Sequence, residues 1–175
     1  MPTVQPCEVP LNSLLRPYKD GQGYADCYVT KLPGAVTQAA CIEAFYTSPL
    51  FKIERTLLQF LAKKPATDAD AKALAGGAAT RFSAWRVEAQ SSSELLLADF
   101  TGRTRSWLMA VPAPLGNEPP GTLLYFGSAV VPLHRQGAQS MGWLFHALLG
   151  FHRLYSRMLL RAASNRISAL KLQVN

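Results

Sequence analysis

The chain has 175 residues, 49% hydrophobic, 17% charged and 10% aromatic, and a formal net charge of +7. That length favours one domain with a sizeable core, and the low charge with dispersed aromatics excludes a disordered chain. Twelve Gly and twelve Pro exclude a collagen-like composition, and no run approaches the roughly 18–20 apolar residues that a spanning helix needs.

Residues 1–23 read as an irregular arm, broken by Pro2, Pro6 and Pro10. The arm has no basic start of the signal-peptide kind, so the expected address is the cytoplasm. Tyr24–Lys31 is the first strand, stopped by Pro33-Gly34. Thr37 caps a short helix through Thr47, with Cys41, Ala44 and Phe45 on one side. Ser48-Pro49 starts a second helix, which runs to about Lys64 with Leu50, Ile53, Leu57, Phe60 and Leu61 as its apolar stripe. A small helix follows from Thr67 to Ala75, closed by Gly76-Gly77.

Four strands come next: Phe82–Gln90, Glu94–Phe100, Thr104–Val111 and Thr122–Pro132. Their short links imply an antiparallel meander. If Thr101-Gly102 makes a two-residue turn, Ala98 pairs with Arg105 and Leu96 with Trp107. Those four then share a face with Phe100 and Arg103, and Asp99 lies on the other face beside Ser106, Leu97 and Leu95. A long helix closes the chain from about Met141 to Ser168. Its apolar stripe is Met141, Leu144, Phe145, Leu148, His152, Tyr155, Leu159 and Ala162; His146, Arg153, Arg157, Arg161 and Ser164 lie opposite. The expected fold is therefore α+β: a curved antiparallel sheet gripping a long C-terminal helix, with two short helices after the first strand. Residues 24–168 form one domain and 169–175 a tail.

Residues 133–175 carry six basic side chains and no carboxylate. Without a Lys-rich run or interleaved stacking aromatics, this charge does not point to nucleic acid. A weak contact with anionic membrane is a lesser expectation, through Trp143, Phe145 and Phe151 with Arg153, Arg157 and Arg161. The stripe that packs on the sheet cannot also face lipid. Cys7, Cys27 and Cys41 form no C-x-x-C pair, and three thiols fit a reducing compartment.

The order of elements, Tyr24-Ala25-Asp26 opening the first strand and Phe151-His152-Arg153-Leu154-Tyr155 in the last helix together resemble a small bacterial domain-of-unknown-function family. That family is akin to the START and pollen-allergen-like (SRPBCC) helix-grip superfamily. The resemblance covers roughly residues 24–168 and implies an apolar ligand held between sheet and terminal helix; some branches are cyclases or hydroxylase components. Five strands are legible, where the superfamily has seven.

Glu54 lies within an apolar stripe and points at the core, where a carboxylate costs several kcal/mol unless paired or protonated. It is either an anchor at the base of a pocket or one half of an ion pair with Arg86 or Arg105. His152 and Tyr155 sit one turn apart on the inner side of the last helix, so both reach the sheet. Arg105 suits an anionic head group or else stands at an exposed hairpin tip. Trp85, Trp107 and Tyr125, with Phe126, supply large rings for the walls of a pocket or for core filling. No nucleophile elbow, phosphate loop or dinucleotide fingerprint is present, and neither the three His nor the Cys have metal spacing. No cofactor is expected. The reading is intracellular binding of a small apolar or amphipathic molecule by Glu54, Trp85, Arg105, Trp107, Tyr125, His152 and Tyr155. The alternative is a cyclase- or isomerase-like enzyme using Glu54 or His152 as acid/base.

Overall fold

Five long strands, four of them with buried residues on both faces, set the architecture in the computed structural model. It describes residues 3–21, 23–63, 65–114, 119–131 and 143–174. The strands are β1 (Gln5–Pro6), β2 (Tyr24–Pro33), β3 (Arg81–Phe82), β4 (Trp85–Gln90), β5 (Glu94–Asp99), β6 (Thr104–Pro112) and β7 (Gly121–Val130). The helices are α1 (Arg16–Asp20), α2 (Gln38–Tyr46), α3 (Pro49–Ala62), α4 (Asp68–Ala75) and α5 (Trp143–Val174). Among the described residues the strands make one antiparallel sheet in the order β1-β2-β7-β6-β5-β4-β3. The five legible strands are its interior, and two-residue pieces flank it at the edges; the strand expected over Phe82–Gln90 is divided into β3 and β4 at Ser83, which takes φ +52°.

Local chemistry starts and stops the elements where the residue types require. The Thr37 hydroxyl accepts from the Ala40 amide to cap α2. Thr67 and Asp70 cap α4 reciprocally, satisfying two amides that the first turn leaves unpaired. Between β5 and β6 the Asp99 carboxylate accepts from the Arg103 and Thr104 amides, and Gly102 takes φ +71°, a conformation that costs other residues a steric penalty. The ladder runs Ala98↔Arg105, Leu97↔Ser106, Leu96↔Trp107, the register that the turn residues predict.

The two faces of the sheet are covered differently. One face carries Tyr28, Leu32, Leu95, Leu97, Leu108, Leu124 and Phe126 and packs against α2, α4 and α5. Rings from β3, β7 and the helices interlock there: the Phe45 ring centroid lies 4.7 Å from that of Phe126, and that of Tyr46 lies 5.1 Å from that of Phe82. From α5, Leu159, Leu160, Ala163 and Ile167 are buried on this face, each large side chain worth about 1.5–3 kcal/mol. The second face carries Ala25, Cys27, Leu96, Trp107, Met109 and Ala129 and is roofed by the N-terminal segment through Val9, Leu14, Leu15 and Tyr18. The segment expected as an irregular arm thus holds a strand, a short helix and the fully buried Leu15.

Other boundaries and faces differ from the sequence reading. The last helix continues to Val174 rather than ending at Ser168, because 169–174 (Ala-Leu-Lys-Leu-Gln-Val) contains no breaker. Ser164, expected on the wet face, is fully buried, as is Ser156; small side chains there let the helix approach its neighbours closely. Ile53 and Phe60 of α3 are 61% and 76% exposed, and Phe51 is the buried ring of that helix. Leu57, Leu61 and α5 before His152 lie outside the described side chains.

Candidate functional site

Polar side chains gather on the otherwise apolar face beneath α5. Asp26 of β2 pairs in register with Ser128 of β7, which pairs with Ser106 of β6. Period-two geometry therefore lines the three up across the sheet, on the side that also carries Tyr28. Ser128 Oγ lies 2.7 Å from Asp26 Oδ1 and 2.6 Å from His152 Nε2, and His152 Nε2 is 3.8 Å from Asp26 Oδ2. The Tyr24 and Tyr28 hydroxyls donate to Asp26 Oδ2 at 3.2 and 3.4 Å.

Ser128 donates to Asp26 Oδ1, so its oxygen is left to accept from the imidazole Nε2 in the tautomer that carries the proton there. This proton order is the reverse of a nucleophilic serine, whose proton must point at the imidazole. The cluster is a hydrogen-bonded chain from His152 through Ser128 to Asp26.

One turn along α5, Tyr155 donates to Glu54 of α3. Burial raises the Glu54 pKa, with the Tyr155 hydrogen bond opposing it. Burial, reinforced by the Glu54 charge, pushes the Tyr155 hydroxyl up. Glu54 therefore holds its proton to higher pH than an ordinary carboxyl. Neither expected arginine pairs with it. Tyr46, fully buried at the end of α2, lies 3.3 Å from Ser106 Oγ and feels the Glu54 charge. Trp85 packs on the same core, and among the described residues its buried Nε1 has no acceptor and the buried Thr30 and Ser156 hydroxyls have no partner.

The structure divides the seven residues picked from sequence. Glu54, Trp85, His152 and Tyr155 belong to the helix-covered face. Arg105, Trp107 and Tyr125 belong to the second face, because they sit at the opposite parity of β6 and β7 from Ser106 and Phe126. Arg105 is 8% exposed, so it is not an exposed tip. It pairs with Glu88 at 2.9 Å, donates to the Tyr18 hydroxyl at 3.1 Å and lies over the Tyr18 ring. Trp107 is fully buried, and its Nε1 donates to Glu94 Oε2 at 2.7 Å, an oxygen that also accepts from the Leu14 amide at 2.7 Å. Tyr125 packs beside Trp107 at 6.2 Å. These three fasten the N-terminal segment to the sheet.

Sequence reasoning missed Asp26, Ser128, Ser106 and Tyr46 as site residues. A signal existed for Asp26, which shares the parity of Tyr28 and Leu32 in β2. His134 lies outside the described residues, and His146 outside the described side chains.

An open groove of about 610 Å³ reaches this cluster where Tyr24–Asp26 form the sheet edge beyond β1. Tyr24, Asp26, Tyr28, Cys7, Cys27 and Arg153 are among the residues lining it. A second groove of about 520 Å³ lies between the start of α2 and the end of α5, lined by Val36, Ala40, Ala44, Ile167, Arg166 and Lys171 among others. No family model, curated protein or solved structure matches the chain.

Proposed function

We propose that this chain binds a small apolar or amphipathic molecule between the sheet and α5, in the manner of a helix-grip, START-like domain. The observation that carries the reading is the concentration of hydrogen-bonding groups at one end of an apolar face. Asp26, Ser128, His152, Tyr155 and Glu54 stand there, and Asp26 lines a groove open to solvent. Stability alone does not account for such a cluster, because well-packed apolar side chains hold a core together without the cost of desolvating charges. The polar end of a ligand would exchange hydrogen bonds with Ser128, His152 and the Tyr155–Glu54 pair, and its apolar part would lie against Tyr28, Phe126 and Trp85. The buried Trp85 Nε1 gains an acceptor if the ligand supplies one.

Native mass spectrometry of the purified chain tests this directly. Wild-type protein should carry a small-molecule adduct, or should take up an anilinonaphthalene sulfonate dye with a blue-shifted emission. His152→Leu combined with Tyr155→Phe should lose either signal while still melting cooperatively. A wild type with neither adduct nor dye uptake overturns the proposal.

The shifted Glu54 favours a second reading, an isomerase- or cyclase-like reaction in which a protonated carboxyl serves as the acid. A co-purified molecule that the wild type converts and Glu54→Gln only binds would select it.

A further inference from the structure

We infer that Cys7 and Cys27 are a site of reversible oxidation, closing to a disulfide in exchange with a low-molecular-weight disulfide such as glutathione disulfide. The inference does not rest on the ligand-binding reading.

The backbone brings the two together. β1 pairs with β2 as Gln5↔Val29 and Pro6↔Tyr28, so the next opposed pair is Cys7 and Cys27. The Cys7 amide donates to the Cys27 carbonyl at 3.0 Å. A hydrogen-bonded antiparallel pair sets its Cα atoms about 5.5 Å apart, within the disulfide range of roughly 4.4–6.8 Å. The sulfurs already lie 3.2 Å from each other. Bond formation thus needs only a small closing movement of two side chains on a fixed ladder.

Access and reactivity differ between the two thiols in the order an exchange requires. Cys7 is half-buried and lines the groove of about 610 Å³, whereas Cys27 is 3% exposed. The hydrogen bond from Cys27 lowers the Cys7 thiol pKa, and the same contact, with burial, raises that of Cys27. Cys7 is therefore the attacking thiolate and Cys27 the resolving thiol. Cys41 is fully buried in the other core, with its thiol pushed up to about 12 by burial, and serves as an internal control.

The steps balance. The Cys7 thiolate attacks one sulfur of glutathione disulfide, forming a mixed disulfide and expelling one glutathione thiolate. The Cys27 sulfur then attacks the Cys7 sulfur as its proton passes to solvent, and the second glutathione leaves as thiolate. Two protein thiols are oxidised to one disulfide, and one glutathione disulfide is reduced to two glutathiones. The product ties the N-terminal segment to β2 at the wall of the groove that reaches Asp26.

The test equilibrates the full chain in glutathione redox buffers, traps free thiols by alkylation and maps the peptides by mass. The expected result is a Cys7–Cys27 cross-linked peptide, lighter by two hydrogens, that appears as glutathione disulfide rises and disappears on reduction. Cys41 stays a thiol throughout. The oxidised form should melt higher than the reduced form by roughly 5–10 °C, since the bond closes a loop of about twenty residues. Cys7→Ala, melting with the reduced wild type, should abolish the cross-link and leave Cys27 slow to alkylate. Either of two results overturns the inference: Cys7 and Cys27 both remaining alkylatable in excess glutathione disulfide, or Cys7 stopping as a stable glutathione adduct with Cys27 free.

Discussion

Burial gives the Glu54 carboxyl a definite pH signature. Its folded-state pKa lies above the ordinary value of 4.5 because burial disfavours the anion more than the Tyr155 hydrogen bond favours it. For a raised acid the sign is fixed: its contribution is fully present below the unfolded pKa and is lost as pH rises through the folded one. Glu54→Gln keeps an oxygen that accepts from Tyr155 and removes the ionisation. The variant should therefore gain stability relative to wild type on going from about pH 4 to about pH 7. Chemical denaturation at both pH values measures the difference; parallel profiles for the two proteins would sink the assignment. Tyr155→Phe, by contrast, strands a buried carboxyl and should cost about 1–3 kcal/mol. The sequence placed Glu54 on the inner side of its helix by its spacing from Leu50. Its true partner, 101 residues away in the chain, could not be read from that spacing.

At the scale of elements, β5 and β6 show how one hairpin serves two layers. Leu95 and Leu97 enter the helix-covered core while Leu96 and Trp107 enter the other. An uninterrupted Leu95-Leu96-Leu97 run is the sequence mark of a strand covered on both faces. Glu94, at the head of β5, holds the second layer by accepting from the Trp107 indole and the Leu14 amide through one oxygen. Glu94→Ala leaves both donors buried and unpaired, which should cost about 2–4 kcal/mol. The emission of Trp107 should also move to the red as the N-terminal segment loosens. Unchanged fluorescence with unchanged stability would refute this role for Glu94. The last helix illustrates the reverse limit. Its inner stripe through His152, Tyr155 and Leu159 follows from period alone, yet Ser156 and Ser164 are buried too, since a helix wedged between a sheet and α2 is covered over a wider arc than one apolar stripe.

The whole molecule is a sheet between two unlike covers, and Gly127 shows how closely the second cover approaches. A Cβ at that position would stand 2.4 Å from Leu15 Cδ2, 2.9 Å from the Asp26 carbonyl and 3.0 Å from Trp107 Cε3. Two of those neighbours are backbone or a buried ring and cannot step aside cheaply. Gly127→Ala should therefore cost about 1–3 kcal/mol through overpacking. Limited proteolysis should then cut the N-terminal segment sooner than in wild type. A stable variant with unchanged proteolysis would show that the segment has room to shift. No described helix is long and apolar enough to cross a membrane, and Arg153 and Arg157 of α5 face solvent.

Period and punctuation in the sequence by themselves determined the five long strands, the four helices from α2 onward, the β5–β6 register and the inward turn of His152, Tyr155 and Glu54. These depend on contacts between near neighbours, and steric preference and apolar spacing encode such contacts locally. Only the tertiary structure decided that Arg105, Trp107 and Tyr125 stand on the far side of the sheet from His152, that the N-terminal segment covers them, and that Asp26 meets Ser128 and His152. Those arrangements are set by which strands lie side by side and by what covers each face. Both depend on distant parts of the chain competing to bury the same surface.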